Sequence, residues 1–148
     1  MIRVMFVCLG NICRSPMAEY VLKDMVKKRG LESEFFIASS ATSSEEAGNP
    51  VHRGTRRILE GMNIDCSEKR AVQLRKSDYE KYDYILAMER ANIKNILRIV
   101  GEDSEGKVKR LLDFSQKPRD IADPWYTGNF DATYIDICEG CNAFLNHV

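Results

Sequence analysis

A cysteine and an arginine stand close together near the start of the chain, in the run Cys8-Leu9-Gly10-Asn11-Ile12-Cys13-Arg14-Ser15. Residues 2–7 before this run are apolar except for Arg3, and they predict a buried strand. Ser15 and Pro16 predict a helix start, with Ser15 as the N-cap and Pro16 at the first helical position. The pattern therefore predicts a cysteine at the end of a strand and an arginine at the mouth of a helix.

This arrangement suits a tetrahedral oxyanion such as phosphate. The first N–H groups of a helix have no intrahelical partner, and the helix dipole adds partial positive charge there. Gly10 and Asn11 tolerate positive φ, so the loop can turn further amides toward one point. Arg14 adds a permanent charge whose planar donors match two phosphate oxygens. The residues predicted to surround the phosphate with Arg14 are Leu9, Gly10, Asn11, Ile12, Cys13 and Ser15.

Cys8 is the predicted nucleophile of this pocket. The field that binds phosphate also stabilises a thiolate, and a thiolate below a bound phosphoryl group is placed for in-line attack on phosphorus. Such a thiolate needs no histidine to activate it, and His52 and His147 both lie far from the loop in sequence.

Asp123 and Pro124 provide the second half of the predicted chemistry. A carboxylic acid can protonate the leaving oxygen, and the resulting carboxylate can then take a proton from the attacking water. Pro124 biases Asp123 toward an extended conformation. Trp125 and Tyr126 follow, and aromatic side chains beside a phosphate pocket can hold a phenyl ring. Taken alone, Asp123-Pro124 is also typical of a surface turn. Trp125 and Tyr126 could equally anchor the loop against the core.

The segment CLGNICRSPMAE, together with the later Asp-Pro, closely resembles the low-molecular-weight protein tyrosine phosphatases, and the resemblance covers nearly the whole chain. It implies hydrolysis of phosphotyrosine proteins or small aryl phosphates through a phosphocysteine intermediate, with no metal or cofactor. It implies that Cys8, Arg14 and Asp123 are catalytic, that Trp125 and Tyr126 line the pocket mouth, and that Ser15 donates to the thiolate. Arginine-phosphatase relatives tend to carry threonine at the position of Ile12, so Ile12 favours phosphotyrosine.

The chain departs from this family pattern in two places. Many relatives carry an aromatic residue in the loop that corresponds to residues 43–46, where this chain has Ser44, Glu45 and Glu46. The two acidic residues are expected to repel acidic peptides and to favour basic flanks or small substrates. Some relatives have a histidine near the position of Glu68 that braces the loop asparagine, and Glu68 cannot copy a neutral histidine.

The five cysteines are an odd number with no regular framework, which together with a reactive thiol favours a reducing cytoplasm. Cys13 is either a small buried side chain or, as the resemblance favours, a partner that traps Cys8 in a reversible disulfide. Cys138 and Cys141 form a CxxC pair, but both fall on the apolar stripe of the predicted last helix. We therefore interpret them as buried hydrophobic residues, and Cys66 as inert.

The composition is typical of a globular protein, with 148 residues, 44% hydrophobic and 30% charged. This length predicts one domain over residues 1–148. A net charge of zero gives no bulk attraction to nucleic acid or to a membrane surface. No apolar run matches a membrane span, and the N-terminus lacks the layout of a signal peptide. The sequence leaves open whether the protein is a monomer or a weak dimer.

The apolar periodicity predicts strands alternating with helices. Strands are expected at 2–7, 35–39, 84–88 and 108–112, helices at 16–29, 51–62, 93–100 and 131–147, a helical turn at 77–82, and loops at 40–50 and 113–129. This order predicts an α/β fold: a single three-layer domain with a four-stranded twisted parallel sheet and helices on both faces, the flavodoxin-like or Rossmann-like fold of the phosphatases it resembles. Ligands bind such sheets at the carboxyl ends of strands, which places Cys8 and Asp123 at one edge.

Two other functions are compatible with parts of this pattern. An arsenate reductase on the same fold needs resolving cysteines on a mobile segment, and residues 76–90 contain none. A non-catalytic phosphopeptide-binding module could lose Cys8 or Asp123, and both are present.

Overall fold

The computed structural model describes residues 1–148 and centres on a four-stranded sheet. The strands are β1 (Ile2–Cys8), β2 (Phe35–Ala41), β3 (Tyr84–Ala87) and β4 (Val108–Arg110). Their order is β2-β1-β3-β4, and all three pairings are parallel. Because parallel neighbours require crossover connections, a helix lies between each strand and the next. The predicted fold class is confirmed.

Strand β1 is buried on both of its faces. Val4 and Phe6 point to one face, and Met5 and Val7 point to the other, and all four side chains are buried. A strand segment covered on both sides needs apolar residues at every position, which explains the unbroken apolar run from Val4 to Val7.

Helices cover the two faces of the sheet unequally. Helices α1 (Arg14–Lys28), α2 (Arg53–Gly61) and α6 (Phe130–His147) contribute to the larger core, which includes Phe6. Helices α3 (Asp78–Lys81) and α4 (Arg90–Val100) cover the other face, which includes Val7. Helix α6 approaches the core closely at Gly140, where a Cβ would lie 2.5 Å from Leu111 Cγ. No helix is both long enough and apolar enough to cross a membrane.

Several predicted boundaries were wrong, and side-chain capping explains two of them. The helix predicted from Val51 begins at Arg53, because His52 Nδ1 accepts the Gly54 N–H at 3.0 Å and caps the helix there. The long loop predicted over 113–129 contains helix α5 (Pro124–Thr127), because Asp123 Oδ1 accepts the Trp125 N–H at 3.0 Å.

The strand ends also differ from the prediction. Strand β2 continues to Ala41, beyond the predicted end at Ser39, because it pairs with β1 as far as Cys8. Strand β4 stops at Arg110 instead of Leu112, because a 3-10 helix (Leu111–Phe114) begins there and Asp113 accepts the Arg110 N–H at 2.8 Å. A second 3-10 helix, Glu32–Glu34, precedes β2.

Candidate active site

The loop between β1 and α1 wraps around the sulfur of Cys8. Asn11 takes a left-handed conformation with φ of 59°, which turns its N–H toward Cys8 Sγ at 3.3 Å. Ser15 Oγ lies 3.0 Å from the same sulfur. Because Ser15 Oγ accepts a hydrogen bond from Asn11 Nδ2 at 2.8 Å, its own hydrogen is available to Cys8. Two donors can therefore stabilise a thiolate at Cys8.

The prediction that Ser15 caps helix α1 was wrong. The helix begins one residue earlier, at Arg14, and its N-cap is Cys13, which makes no side-chain capping bond. Ser15 lies inside the first turn and is fully buried. Its hydroxyl is engaged by Asn11 and Cys8, so it is not available to cap the helix.

The side chain of Asn11 is held by polar groups of β2 and of the segment between α2 and α3. Its Nδ2 also donates to Ser39 Oγ at 2.9 Å, and its Oδ1 accepts the Val72 N–H at 3.1 Å. Ser39 Oγ in turn donates to the buried carboxylate of Glu19 at 2.5 Å. These contacts show that the Asn11 side chain holds the loop in place.

Lys69 completes this network, and Glu68 takes no part in it. Lys69 Nζ donates to the Ser39 carbonyl at 2.8 Å and lies 3.5 Å from Glu19 Oε1, whereas Glu68 is exposed. Burial lowers the pKa of Lys69, although the neighbouring Glu19 carboxylate opposes this shift. Neither Lys69 nor Ser39 was predicted from the sequence, because their partners lie far along the chain.

Arg14 is 2% exposed and is fixed from two sides. Its Nη1 donates to the Glu89 carboxylate and, at 2.8 Å, to the Ile121 carbonyl. Its Nη2 lies 3.4 Å from Asp123 Oδ2. Because Glu89 and the carbonyl hold Nη1, the guanidinium has a fixed orientation with Nη2 beside Asp123.

Glu89 was missed by the sequence analysis. Its position two residues after β3 is the signal that could have revealed it, because β3 ends at the same sheet edge as β1. Its backbone N–H donates to Asn92 Oδ1 at 3.0 Å, which fixes the start of α4 at this edge.

The loop that carries Asp123 reaches the pocket as predicted. Asp123 has an extended backbone, with φ of −78° and ψ of 114°, which agrees with the restriction imposed by Pro124. Trp125 is 58% exposed and Tyr126 is 79% exposed, and both line the same pocket as Cys8. The structure thus brings Asp123 and the two aromatic residues to the cysteine loop.

His52 supports the aromatic side of this pocket, although it lies far from the loop in sequence. Its backbone N–H donates to the Ile12 carbonyl at 2.8 Å. Its ring meets Trp125 edge-on at 5.6 Å and stacks on Phe130 at 5.1 Å between centroids. Burial and the neighbouring charges of Arg53 and Arg56 lower the pKa of His52. No pattern in the sequence indicated this contact.

The resulting cavity encloses about 180 Å³. The residues that line it are Cys8, Leu9, Gly10, Ile12, Cys13, Arg14, Ser43, Glu45, Glu46, Asp123, Trp125 and Tyr126. Its buried members, Cys8, Cys13 and Arg14, form the floor, and the exposed aromatic residues form the mouth. Asn11 and Ser15, which were predicted to surround the phosphate, do not line the cavity, although both lie within hydrogen-bond distance of Cys8 Sγ.

The remaining cysteines differ from Cys8 in their surroundings. All five are free thiols. Burial first, and the nearby Cys8 second, raise the pKa of Cys13 to about 12. Cys141 is fully buried in the core and Cys138 is half-buried against it, as their apolar stripe predicts. No group of three or more His, Cys, Asp or Glu side chains is arranged to hold a metal ion.

A parallel sheet that ends in a cysteine loop, with an arginine at the following helix and an Asp-Pro loop beside it, defines a class of phosphate-handling α/β proteins. The model of one family, low molecular weight phosphotyrosine protein phosphatase, matches residues 3–148. The chain belongs to this family of enzymes, which confirms the resemblance drawn from its sequence and does not favour the arsenate reductase alternative.

Individual relatives agree with this assignment. The chain is 41% identical to the low molecular weight protein-tyrosine-phosphatase YfkJ of Bacillus subtilis, over 98% of this chain and 94% of that protein. The crystal structure of YfkJ superposes with a TM-score of 0.93, covering 99% of this chain and 94% of that one. The phosphatase PtpA of Staphylococcus aureus is 36% identical over 100% of this chain and 94% of its own length. A Drosophila arginine phosphatase is 28% identical, with a TM-score of 0.88, covering 97% of this chain and 96% of that one.

Proposed function

We propose that this protein hydrolyses phosphotyrosine in proteins, and small aryl phosphates, through a phosphocysteine intermediate on Cys8. One observation carries the proposal. Cys8 Sγ lies in a cavity floor within hydrogen-bond distance of Ser15 Oγ and the Asn11 N–H, and Arg14 and Asp123 meet in the same cavity. Nucleophile, anion-binding group and acid are thus gathered at one point.

In the first step the Cys8 thiolate attacks phosphorus, and the bond from phosphorus to the tyrosine oxygen breaks. Arg14 and the loop amides bind the non-bridging oxygens, whose charge they stabilise in the transition state. Asp123, in its acid form, donates a proton to the leaving phenolate. The contact between Arg14 Nη2 and Asp123 Oδ2, at 3.4 Å, supports this role for Asp123.

In the second step water attacks the phosphocysteine, and the phosphorus–sulfur bond breaks. Asp123, now a carboxylate, takes a proton from the attacking water. The Ser15 hydroxyl donates to the departing sulfur, which eases its release as a thiolate. Inorganic phosphate then leaves, and the enzyme returns to its starting state.

The shape of the mouth supports a phenyl ring as the group next to phosphate. Ile12 supplies an apolar wall, and Trp125 and Tyr126 supply aromatic surface at the entrance. A ring between these walls carries its phosphate down to Cys8, whereas a phosphoserine side chain is shorter and makes fewer of these contacts. One relative, from Drosophila, is named an arginine phosphatase, so phosphoarginine is an informative comparison substrate.

The cellular location and the oligomeric state of the protein are also part of the proposal. Five free thiols, one of them the nucleophile, support a reducing cytoplasmic location. We propose that residues 1–148 work as one domain, as a monomer or a weak dimer, with no metal, nucleic acid or membrane involved. The disulfide between Cys8 and Cys13 stays a prediction.

The test is hydrolysis of an aryl phosphate by wild type and by Cys8→Ser, under reducing conditions and without added metal. Phosphoarginine and phosphoserine serve as comparison substrates. We expect aryl phosphate turnover that vanishes in the variant and exceeds turnover of both comparisons. No turnover by wild type would overturn the proposal and direct the next assay to thiol-coupled arsenate reduction.

A further inference from the structure

The two walls of the cavity mouth differ in chemistry. The wall formed by Trp125 and Tyr126 is aromatic and uncharged. The opposite wall is formed by the loop after β2, which contributes Ser43, Glu45 and Glu46. Neither glutamate forms an ion pair with any cationic side chain of the protein. The mouth therefore carries uncompensated negative charge on one side only.

The two glutamates are held differently. Glu46 is half-buried, accepts a hydrogen bond from Asn49 Nδ2 at 2.6 Å, and lies against the phosphate loop, with its Cγ 3.4 Å from a Cβ built at Gly10. Glu45 is exposed. Its backbone N–H donates to Ser43 Oγ at 3.1 Å, and its carboxylate makes no hydrogen bond. Glu46 is thus part of the wall, and the Glu45 carboxylate is free to meet a substrate.

No cationic group at the mouth offsets this charge. Arg14 is the one basic side chain that lines the cavity, and it is buried and engaged by Glu89 and Asp123. The three arginines of α2, Arg53, Arg56 and Arg57, line a separate groove together with His52. A peptide whose phosphate sits at Cys8 therefore passes its flanking residues across an acidic rim.

We propose that Glu45 is a specificity-determining residue, which makes the enzyme prefer phosphotyrosine sites flanked by lysine or arginine over sites flanked by aspartate or glutamate. The inference rests on the proposed function and names its substrate class. Exposed opposite charges attract weakly and like charges repel, and both effects are screened by salt. Such rim charges act mainly on association, so the preference lies in KM and weakens at high ionic strength.

The test uses two phosphotyrosine peptides of equal length that differ only in carrying lysine or glutamate beside the phosphotyrosine. At low ionic strength we expect kcat/KM for the basic peptide to exceed that for the acidic one by about fivefold. Glu45→Gln reduces this ratio, and Glu45→Lys reverses it. High ionic strength brings the wild-type ratio toward one. The matched control is Glu34→Gln, an exposed glutamate next to the start of β2, at the sheet edge away from the cavity, which leaves the ratio unchanged.

The outcomes separate this inference from the function on which it rests. Wild type that hydrolyses an aryl phosphate and both peptides at equal kcat/KM would overturn the role of Glu45 and leave the phosphatase intact. A basic preference that persists in Glu45→Lys would also overturn it. Wild type that hydrolyses neither peptide nor aryl phosphate would remove both proposals.

Discussion

Two pairs of cysteines lie at opposite ends of the chain, and their surroundings differ. Cys8 and Cys13 border the loop between β1 and α1, and Cys138 and Cys141 lie one turn apart on α6. Cys8 and Cys141 are both buried, yet only Cys8 has donors at its sulfur, from Ser15 and Asn11. Cys141 meets apolar side chains of the core.

This difference shows that burial alone does not decide the chemistry of a cysteine. Burial without donors favours the neutral thiol, and it raises the pKa of Cys141 far above its ordinary value. Cys13 shows that lying in the cavity beside Cys8 does not decide the chemistry of a cysteine either. It lines the same cavity as Cys8, and yet burial and the neighbouring Cys8 raise the pKa of Cys13 to about 12. The hydrogen-bond donors directed at its sulfur distinguish Cys8 from Cys13 and Cys141.

The largest expected effect comes from replacing the sulfur that has donors. Cys8→Ser removes the proposed nucleophile, so kcat for an aryl phosphate should fall by at least about a thousandfold. Cys141→Ala is the matched control, because it removes a buried thiol outside the cavity and should retain kcat. Steady-state kinetics on the folded variants measures both. Equal losses in the two variants would contradict the distinction between the pairs.

Asp123→Asn tests whether the group opposite Cys8 acts as an acid. For a substrate with a poor leaving group, kcat should fall by about a hundredfold. For a substrate with a good leaving group, kcat should fall much less, because only a basic phenolate must be protonated as it leaves. Steady-state kinetics on a series of aryl phosphates whose leaving groups differ in basicity measures this dependence. Equal losses for good and poor leaving groups would contradict the assignment.

Substitutions on α6 should change stability and leave catalysis unchanged. Cys141→Ser buries a hydroxyl among apolar side chains, so the free energy of unfolding should fall by about 1–3 kcal/mol. Cys138→Ser should cost less, because Cys138 is only half-buried. Urea denaturation measures both values, with aryl phosphate turnover as the control. A larger loss at Cys138 than at Cys141 would contradict the packing interpretation.

Alkylation compares the thiols directly. Iodoacetate at neutral pH should modify Cys8 at least about tenfold faster than Cys13 or Cys141, because the thiolate is the reactive form of a cysteine. Inorganic phosphate should protect Cys8 from this modification. With a pKa of about 12, Cys13 is a thiolate in only about one molecule in 100,000 at pH 7. Its labelling should therefore rise with pH as the pH approaches 12. Peptide mapping by mass spectrometry identifies the modified residue, and fast labelling of Cys13 at pH 7 would contradict this order.

The parts of the site that depend on neighbours in sequence were predicted well. The left-handed turn at Asn11 and the extended backbone at Asp123 were expected from the residues themselves and from Pro124. The placement of Cys8 and Asp123 at one edge followed from the rule that parallel strands present their carboxyl ends together. The capping role of Ser15 failed, because a tertiary contact with Asn11 and Cys8 took its hydroxyl.

The sequence by itself determined the fold class, and it predicted the cysteine loop and the proposed reacting groups, because strand and helix patterns and loop geometry arise within a few residues of each other. Only the tertiary structure decided which side chains hold those groups in place. Glu89 orients Arg14 across 75 positions, and Lys69 reaches the Ser39 carbonyl across 30. Such partners meet only when separate strands and loops converge at one edge of the sheet, and no local pattern of residues records that meeting.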